Sequence, residues 1–235
     1  MSGGLTPTPG GAVAAAAAMR DVLKTYRTAT GSVTALDRVT LSIPRARVTV
    51  VVGPSGAGKS SLLRLLACVD RPDAGEVWIA GERVDGLRPR ARRRLRRRHV
   101  AYLFQRPGAN LLPYLAAVDQ VRLAGQLRGL RPADDEVDEL LDRLGLADRA
   151  GHRPAELSGG EQQRLAVACG VVGGPDLVVA DEPTAELDTR AAERVLAAIS
   201  DLASSGVAFV LSSHDPRVTA IADGAVRLEH GRVLP

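Results

Sequence analysis

Two spacings of apolar residues alternate along the chain. Short β-branched runs stand at Val48-Thr49-Val50-Val51-Val52, at Leu177-Val178-Val179-Ala180-Asp181 and over residues 207–212. Each is apolar at consecutive positions, the pattern of a parallel strand buried on both faces. Helical spacing appears in Ser61-Leu62-Leu63-Arg64-Leu65-Leu66, over residues 115–127, and over 189–202. Residues 132–144 are acidic but place Val137, Leu140, Leu141 and Leu144 on one helical face. Alternating helices and buried strands predict an α/β fold with a parallel sheet covered on both sides.

Ahead of this region, residues 20–26 and 36–43 read as strands around a turn at Thr30-Gly31-Ser32. Residues 76–81 and 99–104 are also strand-like, and 225–228 with 231–234 form a closing hairpin. Residues 1–18 are Gly, Pro, Thr and Ala without periodicity, and a disordered extension is expected there. Residues 19–235 are then one folded unit, with a helical subdomain at about 106–157.

Composition narrows the setting. No apolar run approaches the ~20 residues of a membrane span, and the weakly hydrophobic stretch 12–19 has no basic residue before it, which makes it a poor signal peptide. Cys68 and Cys169 fit no metal-ligand spacing and sit among apolar residues, as buried reduced thiols do. A cytoplasmic location is expected. The formal charge of +4 hides a block in which eight of the eleven residues from Arg88 to Arg98 are arginine. Nucleic-acid binding is disfavoured, because the block has no interleaved aromatics and only 3% of the chain is aromatic. A solvated basic helix face, near anionic headgroups or an acidic partner, is the expectation.

The candidate chemistry begins at Gly53-Pro54-Ser55-Gly56-Ala57-Gly58-Lys59-Ser60, followed by Ser61. The spacing is Gly, four residues, Gly-Lys-Ser, set between a strand and a helix. That geometry turns backbone N–H groups onto an anion at a helix N-terminus, with glycines allowing close approach of phosphate. Lys59 would reach the β- and γ-phosphates and Ser60 would give a hydroxyl to Mg²⁺. Only two of the 31 basic Lys and Arg residues are lysine, Lys24 and Lys59, so a compact ammonium is kept for this position. Kinase, GTPase and transport ATPase all remain open on this motif alone.

A second anchor is Leu157-Ser158-Gly159-Gly160-Glu161-Gln162-Gln163-Arg164. Ser158 is a good helix N-cap and Glu161, three residues on, completes a capping box. With the phosphate loop upstream, the chain resembles the nucleotide-binding subunit of an ATP-binding cassette (ABC) transporter, from about residue 20 to 233. The resemblance implies a P-loop ATPase of ABC type: a RecA-like parallel-sheet core, an antiparallel β subdomain and a helical subdomain. It implies a Walker B Asp181 holding Mg²⁺, and Glu182 polarising the attacking water. Gln105 would sense Mg²⁺, His214 would contact the γ-phosphate, Asp188 would act across a dimer interface, and Tyr26 would stack on adenine. Ser158, Gly159 and Gly160 would complete the ATP site of a second subunit.

The implied function is ATP hydrolysis by a head-to-tail dimer, homodimeric or paired with another ABC subunit. The dimer would sit on the cytoplasmic face of the membrane and power a separate permease. Phe104-Gln105, Asn110-Leu111-Leu112-Pro113 and Asp70-Arg71-Pro72 resemble the branch serving lipoprotein release, macrolide or peptide export and cell division. Arg106-Pro107-Gly108-Ala109 lengthens the link between Gln105 and Asn110 beyond that branch's usual spacing. A regulatory switch on a membrane partner and a soluble ribosome- or nucleic-acid-associated ATPase are the alternative readings.

Overall fold

A computed structural model describes residues 15–29 and 31–234. Its centre is a six-stranded sheet in the order β10-β9-β3-β8-β7-β6. The strands are β3 (Val48–Val52), β6 (Val100–Leu103), β7 (Leu177–Asp181), β8 (Ala208–Ser212), β9 (Gly224–Glu229) and β10 (Arg232–Leu234). All neighbours pair in parallel except β9 with β10, which form the expected hairpin. The unbroken apolar runs have a direct physical reason, because successive residues face two different cores. Val50, Val178, Ala180, Phe209 and Leu211 enter one core; Val51, Leu177, Val179, Ala208 and Val210 enter the other.

The second core is closed by a four-stranded antiparallel sheet in the order β2-β1-β4-β5. Its members are β1 (Ala15–Thr28), β2 (Gly31–Pro44), β4 (Ala74–Ile79) and β5 (Glu82–Arg83). Helix α1 (Lys59–Leu66) fills the space between the sheets with Leu62, Leu63, Leu65 and Leu66. Here the sequence-based boundary is corrected. Ala15 to Ala18 are buried strand residues, paired with Pro44, Ile43 and Ser42 on one side and, through Ala17 and Ala18, with Ile79 and Trp78 on the other. An alanine run has little strand propensity of its own; burial between two neighbouring strands overrides it. The rest of the expected extension, residues 1–14, lies outside the described residues.

Helices α3 (Ala117–Arg128) and α4 (Asp134–Arg143) occupy the expected helical region. Val137 and Leu141 of α4 are buried, with Leu144 just beyond its end. They join the first core together with Leu165, Ala166 and Val167 of α5 (Gly159–Val171) and with α6 (Thr189–Ser204). The helical segment therefore shares a core with the sheet through α5. The arginine block forms α2 (Pro89–His99), whose one buried side chain is Leu95. The short α7 (Pro216–Ala220) precedes β9. No helix among the described residues is long and apolar enough to cross a membrane.

Phe209, in the middle of the parallel sheet, is fully buried and is the largest such side chain. Phe209→Ala is expected to cost about 3–5 kcal/mol of stability, read as a lower urea midpoint; an unchanged midpoint would contradict this packing.

Candidate nucleotide site

The ends of three parallel strands place the candidate residues. β3 stops at Val52, the chain turns through residues 53–58, and α1 starts at Lys59. Two glycines are demanded by what surrounds them. A Cβ on Gly53 would stand 2.0 Å from the Leu228 carbonyl oxygen, and one on Gly58 would stand 2.2 Å from that of Ala35. Gly58 is also the helix N-cap, with φ +103°, and no side chain caps α1. The first-turn N–H groups of α1 are thus left for an anion. Pro54, Ser55 and Gly56 form the exposed outer edge of the loop, and Ala57 is buried beneath it. The Lys59 ammonium donates to the carbonyls of Gly53 at 2.7 Å and Pro54 at 3.0 Å.

Asp181 ends β7, and both of its oxygens accept hydroxyl hydrogen bonds: Oδ2 from Ser60 at 3.0 Å and Oδ1 from Ser212 at 2.5 Å. Glu182 follows in the left-handed region, with φ +47°. A non-glycine residue held there stores backbone strain that its surroundings must offset. The offset is visible: its N–H donates to the Ser212 carbonyl at 3.1 Å and faces the Ser212 hydroxyl at 3.2 Å. Its carboxylate accepts from the Ser213 hydroxyl at 3.4 Å and lies 3.7 Å from His214 Nε2. That same nitrogen is 3.1 Å from Lys59 Nζ. A cation, an imidazole and a carboxylate thus meet beside the glycine loop.

The donor set fits a magnesium nucleotide. Ser60 and Asp181 offer hard oxygens next to a loop that binds phosphate through N–H groups. The described residues hold no cluster of three or more His, Cys, Asp or Glu able to bind a metal alone. A magnesium ion that keeps several waters and shares phosphate oxygens needs no such cluster.

The candidates fall into two groups. The loop, Lys59, Ser60, Asp181, Glu182 and His214 form the first. Ser158, Gly159, Gly160 and Asp188 form the second. Ser158 accepts from the Glu161 N–H at 3.3 Å, and Glu161 accepts from the Ser158 N–H and hydroxyl, each at 2.8 Å, so the expected capping box is present. A Cβ on Gly160 would come 2.7 Å from Ala191 Cβ, so the glycine lets α5 lie close on α6. Asp188 caps α6 by accepting from the Ala191 N–H at 2.9 Å. No hydrogen bond or ion pair among the described residues links the second group to the first.

Two expected residues stand apart. Gln105 is exposed beyond the end of β6, with no hydrogen bond to Ser60 or Asp181. Tyr26 is half-buried beside Ser61; its hydroxyl donates to Asp70 at 2.7 Å and Lys24 Nζ lies 5.1 Å from its ring centre. Burial pushes its phenol above the usual value, and the Asp70 carboxylate adds to the rise.

Sequence reading gave three residues no part in the geometry of the site. Ser212 and Ser213 brace Asp181 and Glu182, and their signal was a pair of hydroxyls ending an apolar strand. Asn110 closes the loop after β6, accepting from the Phe104 N–H at 2.8 Å and donating to the Phe104 carbonyl at 3.0 Å.

Hydrogen bonds from the Ser158 N–H and hydroxyl hold the Glu161 carboxyl at about 2, well below the usual glutamate value of 4.5. A carboxyl lowered on folding stabilises above its unfolded value and loses that contribution as pH falls through the folded one. Glu161→Ala is therefore expected to lower the melting temperature near neutral pH, and the deficit should shrink between pH 4.5 and 2. Melting curves across that range check it.

Comparison with known proteins identifies the family. The family model described as ABC transporter matches residues 36–185. The lipoprotein-releasing system ATP-binding protein LolD of Nitrobacter hamburgensis is 38% identical over 219 residues, 92% of this chain and 94% of the relative. The macrolide export ATP-binding/permease protein MacB of Bradyrhizobium diazoefficiens is also 38% identical over 219 residues, 92% of this chain but 33% of the relative, so the chain spans about a third of that protein. Among solved structures, the dimeric post-hydrolysis ATP-binding cassette MJ0796 bound to ADP and Pi superposes with a TM-score of 0.83. It is 31% identical, covering 93% of this chain and 97% of that one. By motif, fold and relatives alike, the chain belongs to the ABC transporter family as an ATP-binding cassette.

Proposed function

We propose that this cassette hydrolyses ATP as a head-to-tail dimer and powers a separate membrane permease of the lipoprotein-release or drug-export kind, from the cytoplasmic face. The observation that carries the reading is the separation of the two groups of candidate residues within one chain. A signature helix remote from its own phosphate loop can serve the loop of a second copy.

In this reading the loop N–H groups and Lys59 hold the phosphates. Ser60 and Asp181, with Gln105, would hold magnesium, which would supply positive charge against the phosphate oxygens. Glu182 orients and accepts a proton from the attacking water, and His214 bridges Glu182 and Lys59. Gly159 and Gly160 of the second copy face the same phosphate with the N–H groups of a helix start, beside Ser158, whose own N–H is taken by Glu161. Asp188 steadies that contact, and Tyr26 offers a ring beside the loop to the base. Catalysis then rests on positioning and charge stabilisation.

In this reading the membrane partner sits against a basic groove. A groove of about 920 Å³ lies between α2, β6, α3 and α5, lined by Arg90, Arg93, Arg94, Arg97, Phe104 and Leu127. These four arginines make no ion pair among the described residues. Phe104 and Leu127 are 51% and 62% exposed, which gives an apolar floor under a basic rim. An acidic, partly apolar segment of the permease suits such a surface.

Glu182→Gln should slow hydrolysis by about 10²–10⁴-fold and leave an ATP-bound dimer detectable by gel filtration; near wild-type turnover would sink the assignment. With Ser158→Arg, hydrolysis is expected to vanish while the chain still binds ATP in an equilibrium assay, and lost nucleotide binding would contradict a signature acting in trans. Arg93→Glu with Arg97→Glu should release the cassette from native membranes without slowing its basal hydrolysis. Undiminished membrane retention would remove the groove from the partner surface.

A further inference from the structure

The C-terminal hairpin turn lies directly against the phosphate loop. β9 and β10 are joined by His230 and Gly231, with φ +46° and +77°, the positive pair of a two-residue hairpin turn. The Gly231 N–H donates to the Ala57 carbonyl at 3.0 Å, and the Gly231 carbonyl accepts from the Asp37 N–H at 2.8 Å. Gly231 is thus stitched between β2 and the loop. A Cβ there would stand 2.9 Å from the Ala35 carbonyl oxygen, so the approach needs glycine as well as the turn.

The next residue secures the turn. Arg232 donates from Nε and Nη2 to Oδ2 of Asp37, at 2.8 and 2.6 Å. These hydrogen bonds hold the Asp37 carboxyl below the usual carboxylate range. The pair is open to water, with the Arg232 side chain 60% exposed, and exposed pairs add little to global stability. Its consequence is local. In a planar trans peptide the C=O and the following N–H point in opposite directions. Fixing the Ala57 carbonyl toward Gly231 therefore fixes the Gly58 N–H on the side away from the hairpin, at the entrance to α1.

We propose that Arg232 and Asp37 are positioning residues for the phosphate loop. Through Gly231 and Ala57 they set the direction of the Gly58 N–H, so that the loop is arranged for a nucleotide's phosphate before the nucleotide arrives. The inference rests on the reading of residues 53–60 as a phosphate site. It adds a control point contributed by the last strand, well away from the loop in sequence.

Calorimetric titration of the full chain with ADP tests this, alongside thermal melting of each variant. Arg232→Gln and Asp37→Asn are each expected to weaken ADP binding about three- to tenfold, the loss of roughly one hydrogen-bonded contact, with an unchanged melting midpoint. Arg232→Lys, which keeps the charge, and the reversed pair Asp37→Arg with Arg232→Asp should each recover part of the lost affinity. Wild-type affinity in both single variants overturns the proposal while leaving the phosphate site standing. Weakened binding with a lowered midpoint, or with no recovery in either rescue variant, also overturns it, because the pair then acts only on folding or not through its charge. Failure of the wild-type chain to bind ADP removes the phosphate-site reading and this inference together.

Discussion

The carboxylate of Asp181 accepts a hydroxyl hydrogen bond on each oxygen, from Ser60 at the start of α1 and Ser212 at the end of β8. One side chain thus fastens three elements at the same edge of the sheet. Nearby, Glu182 takes a strained backbone conformation that the Ser212 carbonyl supports. Neither arrangement would persist in a mobile setting. It persists because β3, β7 and β8 are packed between two apolar cores, one on each face of the sheet. The packing of the core and the geometry of the site are one constraint.

The same architecture divides the chemistry. The parallel sheet gathers Lys59, Asp181, Glu182 and His214 at its strand ends. α5 carries Ser158 to Gly160 and is locked to α6 by the close contact at Gly160. Both groups are well ordered by ordinary means: caps, glycine contacts and strand ends. What separates them is the rigid packing of α5, so the proposed closure of the site is a matter of assembly. The groove beneath α2 adjoins α5 and the end of β6.

Much of this was readable from residue order. The three buried strands, the helix after the glycine loop and the capping box at Ser158 follow from periodicity and local chemistry, and each stands within a residue or two of its expected place. The alanine run from Ala15 to Ala18 was not legible, because alanine states no preference and only neighbours in the sheet decide its conformation. The bracing by Ser212 and Ser213 was hidden for a related reason: a serine at a strand end gains meaning only when the adjacent strand, remote in sequence, brings a carboxylate beside it. The contact between Gly231 and Ala57 is likewise long-range. Gln105 shows the opposite limit, since resemblance gave it a role at the metal while its side chain stands exposed and untethered.

In the proposed dimer, one active centre is built from two copies of the chain. Mixing two inactive variants tests it most directly: Lys59→Ala, which spoils the loop group, and Ser158→Arg, which spoils the signature group. In a mixed dimer one site carries both lesions and the other carries neither. Each variant alone is expected to fail to hydrolyse ATP, and the mixture to recover a measurable part of wild-type activity. A mixture as inactive as its components, under conditions where mixed dimers are shown to form, would contradict it.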